Sequence, residues 1–181
     1  MKHLKTTLGL LTGCLLLTGC SMAAANPASL KKAANQTAVS TVNPVRQVTI
    51  DEMGAAAGIY LRAPEGAGNV VYSVISDSDG GKTAQAEYTV NGVSYTYRAK
   101  SIPDAEAHDI SGLYEQWTAE APVEIGYHGG TWKTSDNASV IIWTDIAPGI
   151  SYSLSVQGKA DQDQLLNAAR EVYVPVQGEA G

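Results

Sequence analysis

From Lys82 to Val90, and again from Val93 to Lys100, apolar and polar positions alternate without a break. Alternation at a period of two marks a strand with one buried face. The two runs are joined by Asn91-Gly92. That dipeptide favours a type I′ turn, because both residues tolerate positive φ. A two-residue loop also fixes the register. Val90 then faces Val93, Tyr88 faces Tyr95, Ala86 faces Tyr97 and Ala84 faces Ala99. These eight residues define an inward side. Thr89 with Ser94, Glu87 with Thr96 and Gln85 with Arg98 form the other side, which is expected to meet water or a ligand.

Other segments read in the same way. Thr49-Ile50-Asp51-Glu52 has capping-box spacing, with two acidic residues suited to a helix N-terminus. The helix continues through Ala57 and stops at Gly58. Strands are expected at Ile59–Arg62, Val70–Ile75 and Val123–Tyr127, the last broken by Gly129-Gly130. Asp109 to Tyr114 reads as a loop that tightens into a helical turn. Ala138–Thr144 is apolar on both sides and fits a central strand. Ile150 to Val156 alternates with serines and fits a one-sided strand. Asp161 caps a final helix whose inner face carries Leu165, Ala168, Ala169 and Val172. The implied class is α+β, a mostly antiparallel sheet of about six to seven strands packed with an N-terminal and a C-terminal helix.

The first residues follow a different pattern. Lys2 and Lys5 precede an apolar run from Leu8 to Leu17. That run is too short for a membrane helix, which needs about 20 residues. A basic start and a short apolar core form an export signal. Leu17-Thr18-Gly19-Cys20 closes it and resembles the lipobox of bacterial lipoproteins. In that family the chain is cut before the Cys, whose sulfur receives diacylglycerol. Leu11-Thr12-Gly13-Cys14 fits the same pattern but leaves too little apolar core before it. Residues 1–19 are therefore expected to be a signal peptide and Cys20 the lipidation site. Residues 20–48, rich in Ala, Ser, Thr, Asn and Gln, read as a flexible tether. A single domain is expected over 49–176 and a disordered tail over 177–181.

Composition narrows the function classes. The chain has 181 residues, 44% of them hydrophobic and 17% charged, which is a globular composition. The net charge is −6. An acidic chain is poorly suited to the phosphate backbone, so no nucleic-acid partner is expected. Two Cys cannot build a disulfide scaffold or a Cys-rich zinc site.

Candidate chemistry is sparse. His108-Asp109 with Ser111 offers triad residue types, but no Gly-x-Ser-x-Gly elbow surrounds the serine. His128 with Glu124 or Asp136 has no metal-ligand spacing. Asp77, Asp79 and Gly80 resemble part of a calcium loop, yet its twelfth position is Tyr88 rather than an acid, so a plain turn is expected. No catalytic residue, metal site or cofactor is expected. Trp143 and Tyr152 sit inside strand patterns and are assigned to the core. Trp117 and Trp132 lie near loops and are candidate partner-binding residues, together with Gln85, Glu87 and Arg98 on the polar side of the hairpin.

The stretch from Gly58 to Tyr173 resembles a family of unknown function catalogued as domain family 4367. The matching pieces begin with Ile59-Tyr60-Leu61-Arg62-Ala63-Pro64-Glu65-Gly66, Ala86-Glu87-Tyr88 and Tyr95-Thr96-Tyr97-Arg98. Asp109-Ile110-Ser111-Gly112-Leu113-Tyr114, Trp143, Tyr152-Ser153-Leu154 and Leu165-Leu166 complete them. The family occurs in exported lipoproteins and at the outer end of membrane proteins similar to anti-sigma factors. The resemblance implies a compact extracytoplasmic sheet-and-helix domain and brings no catalytic residues or ligand. The chain is thus expected to be a lipid-anchored module of the bacterial cell envelope, on the extracytoplasmic side of a membrane. It would bind or sense an envelope protein or small ligand without catalysis. The alternative is a hydrolase or a small-ligand or lipid carrier with an unrecognised pocket.

Overall fold

The computed structural model describes residues 44–102 and 108–173. The expected signal peptide, the Cys20 lipidation site, most of the expected tether and the expected tail lie outside them. Eight antiparallel strands form one sheet: β1 (Val45–Val48), β2 (Gly68–Ser76), β3 (Lys82–Val90), β4 (Val93–Ser101), β5 (Ala119–Ile125), β6 (His128–Thr134), β7 (Ala138–Asp145) and β8 (Ile150–Gln157). Their order across the sheet is β1-β2-β3-β4-β8-β7-β6-β5. Helix α1 (Ile50–Ala57) packs against β2 and β3, and α2 (Gln162–Val172) against β5, β7 and β8. The class is α+β, with one strand more than the upper expectation.

The strongest sequence patterns appear as expected. The β3–β4 register pairs Tyr88 with Tyr95 and Gln85 with Arg98, and Asn91 and Gly92 sit at φ 51° and 80°. Such angles suit the type I′ turn, which matches strand twist. Thr49 caps α1: its hydroxyl accepts from the Glu52 amide while the Glu52 carboxylate accepts from the Thr49 amide. These hydrogen bonds hold the Glu52 carboxyl below the usual glutamate range. Asp161 accepts from the Gln164 amide and caps α2.

Three strand assignments change. Ile59–Arg62 is not a strand, although Ile59 and Leu61 are buried. Its alternation reports packing against the core, not ladder pairing. Val45–Val48, read from sequence as the end of the tether, pairs with β2 as the edge strand β1. Gly129-Gly130, read as a break, lies inside β6. A Cβ on Gly130 would approach the Ile142 carbonyl to 2.6 Å and the Trp143 Cβ to 3.1 Å. The glycine there makes room for a tryptophan on the neighbouring strand.

The helix-covered side of the sheet is aromatic. Trp143 stacks on Tyr152 at 5.2 Å and on Tyr97 at 6.0 Å between ring centroids. Tyr88 stacks on Tyr95 at 5.5 Å. Tyr173, just beyond α2, meets Trp143 and Tyr152 edge-on. Offset stacks and edge contacts suit the ring quadrupole and add to area burial. Trp143 and Tyr152 are therefore core residues. Tyr97 and Tyr88 are pushed well above the ordinary tyrosine pKa by burial, and Tyr152 is pushed up to about 12 by burial and by nearby Asp145.

Candidate functional site

The opposite side of the sheet carries Gln85, Glu87 and Arg98, singled out from sequence. β4 lies near the middle of the sheet and β5 at its edge, so the chain joining them must pass β8, β7 and β6. Its described residues, 108–118, meet the polar side through Arg98 and Ser151. The Ile102 amide donates to the Gly149 carbonyl, and the Thr118 amide donates to the Thr134 carbonyl. Between these points, residues 108–118 form a strap with no helix or strand of its own. The expected helical turn at Asp109–Tyr114 is absent.

Arg98 fastens the strap. Its Nε donates to the Gln85 Oε1 at 2.7 Å, and its Nη1 donates to the carbonyl oxygens of Ile110 and Ser111. Gln85 in turn donates to the Ser73 hydroxyl at 3.3 Å. A guanidinium suits this role because its donors diverge in one plane and reach several acceptors at once. Burial lowers the Arg98 pKa, opposed by the charges of Glu87 and Asp109, but the group remains a cation. Farther along, the Glu115 carboxylate accepts from the Ser135 hydroxyl and the Asn137 side-chain amide. The His108 amide donates to the Ser151 hydroxyl.

This corrects the expected interface. Gln85 is 5% exposed, so it is not presented to a partner, and half-buried Arg98 spends its donors on Gln85 and the strap carbonyls. Of the hairpin trio, only Glu87 is exposed. Ser151, Ser153 and Ser155 are buried as well, so β8 is not one-sided. Val140 and Ile142 of β7 are buried on this side, outside the main aromatic core. The strap contributes half-buried Ile110, Leu113 and Trp117. Trp132 is half-buried against the main core, on the other side of the sheet. The two candidate tryptophans therefore do not form one surface with Arg98.

The triad residue types also find local uses. The Ser111 hydroxyl donates to the Asp109 Oδ1 at 2.6 Å and accepts from the Leu113 amide. The Ser111 amide donates to the same Asp109 oxygen. Such short-range loops are how Asp and Ser stabilise irregular backbone. At 3% exposure, Ser111 is a turn residue of the strap. The Asp77–Gly81 loop is a turn: the Asp79 carboxylate accepts from the Gly81 amide, and Lys100 pairs with Asp77 at 2.8 Å. These contacts hold the Asp79 carboxyl low and raise the Lys100 ammonium. Among the described residues no three His, Cys, Asp or Glu are grouped to hold a metal.

One polar constellation was missed from sequence. The Tyr173 hydroxyl lies 2.8 Å from His128 Nε2 and donates to Asp145 Oδ2 at 3.0 Å. A phenol has one proton. With that proton on the Asp145 side, His128 Nε2 must carry its own hydrogen and donate to Tyr173. The chain therefore links a half-buried imidazole to a carboxylate that is 2% exposed. The available signal was Asp145, a charge at the end of an otherwise uncharged run from Ala138 to Thr144. Its partners come from β6 and the end of α2, which no local pattern connects.

No family model, curated protein or solved structure matches this chain.

Proposed function

We propose that the chain is a lipid-anchored, extracytoplasmic module of the bacterial envelope that binds or senses an envelope component without catalysis. The observation that carries this reading is Leu17-Thr18-Gly19-Cys20, placed directly behind a basic start and a short apolar run. Position, spacing and residue type all agree there. The proposal includes the resemblance of the domain to the family of unknown function named above. Its partners are the membrane, through the acyl chains on Cys20, and an envelope protein or small ligand.

The non-catalytic part is supported by what the triad types do. A serine nucleophile needs a base within hydrogen-bond reach and an exposed hydroxyl. The Ser111 hydroxyl is buried and bonded to Asp109 and the Leu113 amide. The test is purification of the full chain from its native envelope. Mass spectrometry is expected to find an N-terminus at acylated Cys20, with a bound envelope component retained. An unmodified N-terminus at another residue would overturn the anchoring. Turnover of an ester, peptide or glycan that His108→Ala abolishes would overturn the non-catalytic reading.

A further inference from the structure

The described residues include four asparagines, and their surroundings differ. Asn137 gives its side-chain amide to the Glu115 carboxylate, and the Ala138 amide after it donates to the Ser135 hydroxyl. Asn167 lies inside α2, where the amide after it belongs to the helix ladder. Asn69 precedes Val70, whose branched side chain crowds the intervening peptide. Asn91 is the contrast. It and Gly92 are exposed in the turn beyond the last ladder pair, Val90 with Val93. Among the described residues neither the Asn91 side chain nor the Gly92 amide has a hydrogen-bond partner. A Cβ added to Gly92 would meet nothing within 4 Å, so no neighbour covers the turn.

We infer that Asn91 is a site of spontaneous covalent modification, deamidated through the Gly92 nitrogen ahead of the other three asparagines. The reaction needs a backbone nitrogen that is accessible, unbonded and unhindered. Gly92 meets all three conditions, because glycine has no side chain to block the approach. Its nitrogen loses a proton to hydroxide and forms a bond to the Asn91 Cγ. The Cγ–Nδ2 bond breaks, and the departing nitrogen takes a proton from water and leaves as ammonia. Water then opens the cyclic imide at either carbonyl. Opening at Cγ leaves aspartate. Opening at the backbone carbonyl leaves isoaspartate, whose main chain runs through Cβ. Water is the only co-reactant, and nothing is oxidised or reduced.

The two products act differently on the hairpin. Asp-Gly suits a type I′ turn as Asn-Gly does, so aspartate keeps the turn. Isoaspartate adds a main-chain carbon to a two-residue loop whose length fixes the β3–β4 register. The Tyr88–Tyr95 stack lies just behind that loop, so the modification reaches the aromatic core.

The test ages the purified full chain in warm oxygen-18 water, at neutral and mildly alkaline pH, and maps its peptides by mass spectrometry. Asn91 is expected to convert first, to gain one oxygen-18 atom, and to give both isoaspartate and aspartate. The rate should rise with hydroxide concentration. The isoaspartate fraction, separated by chromatography, should melt below fresh protein. Asn91→Gly keeps the turn, since Gly-Gly also suits it, and its melt should stay constant on ageing. Asn91 intact after Asn69, Asn137 or Asn167 has reacted, or still intact after months in alkaline buffer, would overturn the assignment. Aspartate without isoaspartate would overturn the route through Gly92. An Asn91→Gly melt that drifts as fast as that of the unaltered chain would overturn the effect on the hairpin.

Discussion

The two sides of this sheet are buried by different chemistry. On the α1 and α2 side, Trp143, Tyr152, Tyr97 and Leu154 close against helices, and removal of apolar surface from water supplies the stabilisation. On the other side Ser73, Gln85, Ser151 and Ser155 are buried and Arg98 is half-buried, with Arg98 and Ser151 bonded to an irregular strap, and hydrogen bonding offsets their desolvation. The first side depends on shape and tolerates little loss of volume. The second depends on completeness, because one missing partner leaves several buried groups unsatisfied. Two consequences follow for function. A polar strand face is not by that fact an open face. The surface left for recognition shifts toward the turns.

Alkaline titration should break the aromatic side most completely. Tyr88, Tyr97 and Tyr152 are all held above the ordinary tyrosine pKa of 10.0, chiefly by burial. The unfolded chain releases these protons near pH 10, whereas folded Tyr152 holds its proton to about 12. Above pH 10 the unfolded state binds fewer protons, so stability falls as pH rises. It is fully present below that point. The ring signals of Tyr88, Tyr97 and Tyr152, resolved by NMR, and the circular dichroism are expected to change together as pH rises above 10. Phenolate formation at these three rings at pH 10 with the fold intact would contradict burial of the set.

Trp143→Ala should come next, at about 3–5 kcal/mol, because it removes the ring shared by the Tyr97, Tyr152 and Tyr173 contacts. Urea denaturation measures it. Arg98→Met probes the strap side. It leaves the Gln85 oxygen and the Ile110 and Ser111 carbonyls without their shared donor, for a cost of about 1–3 kcal/mol. Arg98→Lys should recover little, since one ammonium cannot reproduce the planar fork. Full recovery would show that charge alone suffices. Gly92→Val should cost about 1–2 kcal/mol by forcing a β-branched residue to φ 80°. It acts at the turn shared by both sides, so a thermal melt should fall without selective loss of either.

How much was legible follows the same division. The β3–β4 register, both caps and the buried β7 were readable because a local period or a short motif specified each. The strap was not. Its meaning depends on β4 and β5 being far apart in the sheet, which is a property of topology and not of any window of sequence. Gln85 and Arg98 alternate correctly for the polar side, yet alternation cannot say whether a segment distant in sequence will cover them. β6 was hidden because its glycines read as punctuation, while Gly130 is there for Trp143 on the next strand. The Tyr173–His128–Asp145 chain joins three elements and was illegible for the same reason.

Hydrogen exchange on the full chain, with and without Arg98→Met, tests most directly that the polar side is closed by the strap and not open to partners. The Ser111 and Leu113 amides bond only to strap side chains, Asp109 Oδ1 and Ser111 Oγ. They are expected to be protected in the native protein and to exchange at least about tenfold faster in the variant, equivalent to 1.4 kcal/mol of lost local stability. The Trp143 and Leu154 amides, in β7 and β8 beneath, should slow or speed only with global stability. Ser111 and Leu113 amides that exchange at free-chain rates in the native protein would contradict the account, returning Gln85 and Arg98 to the list of exposed binding residues.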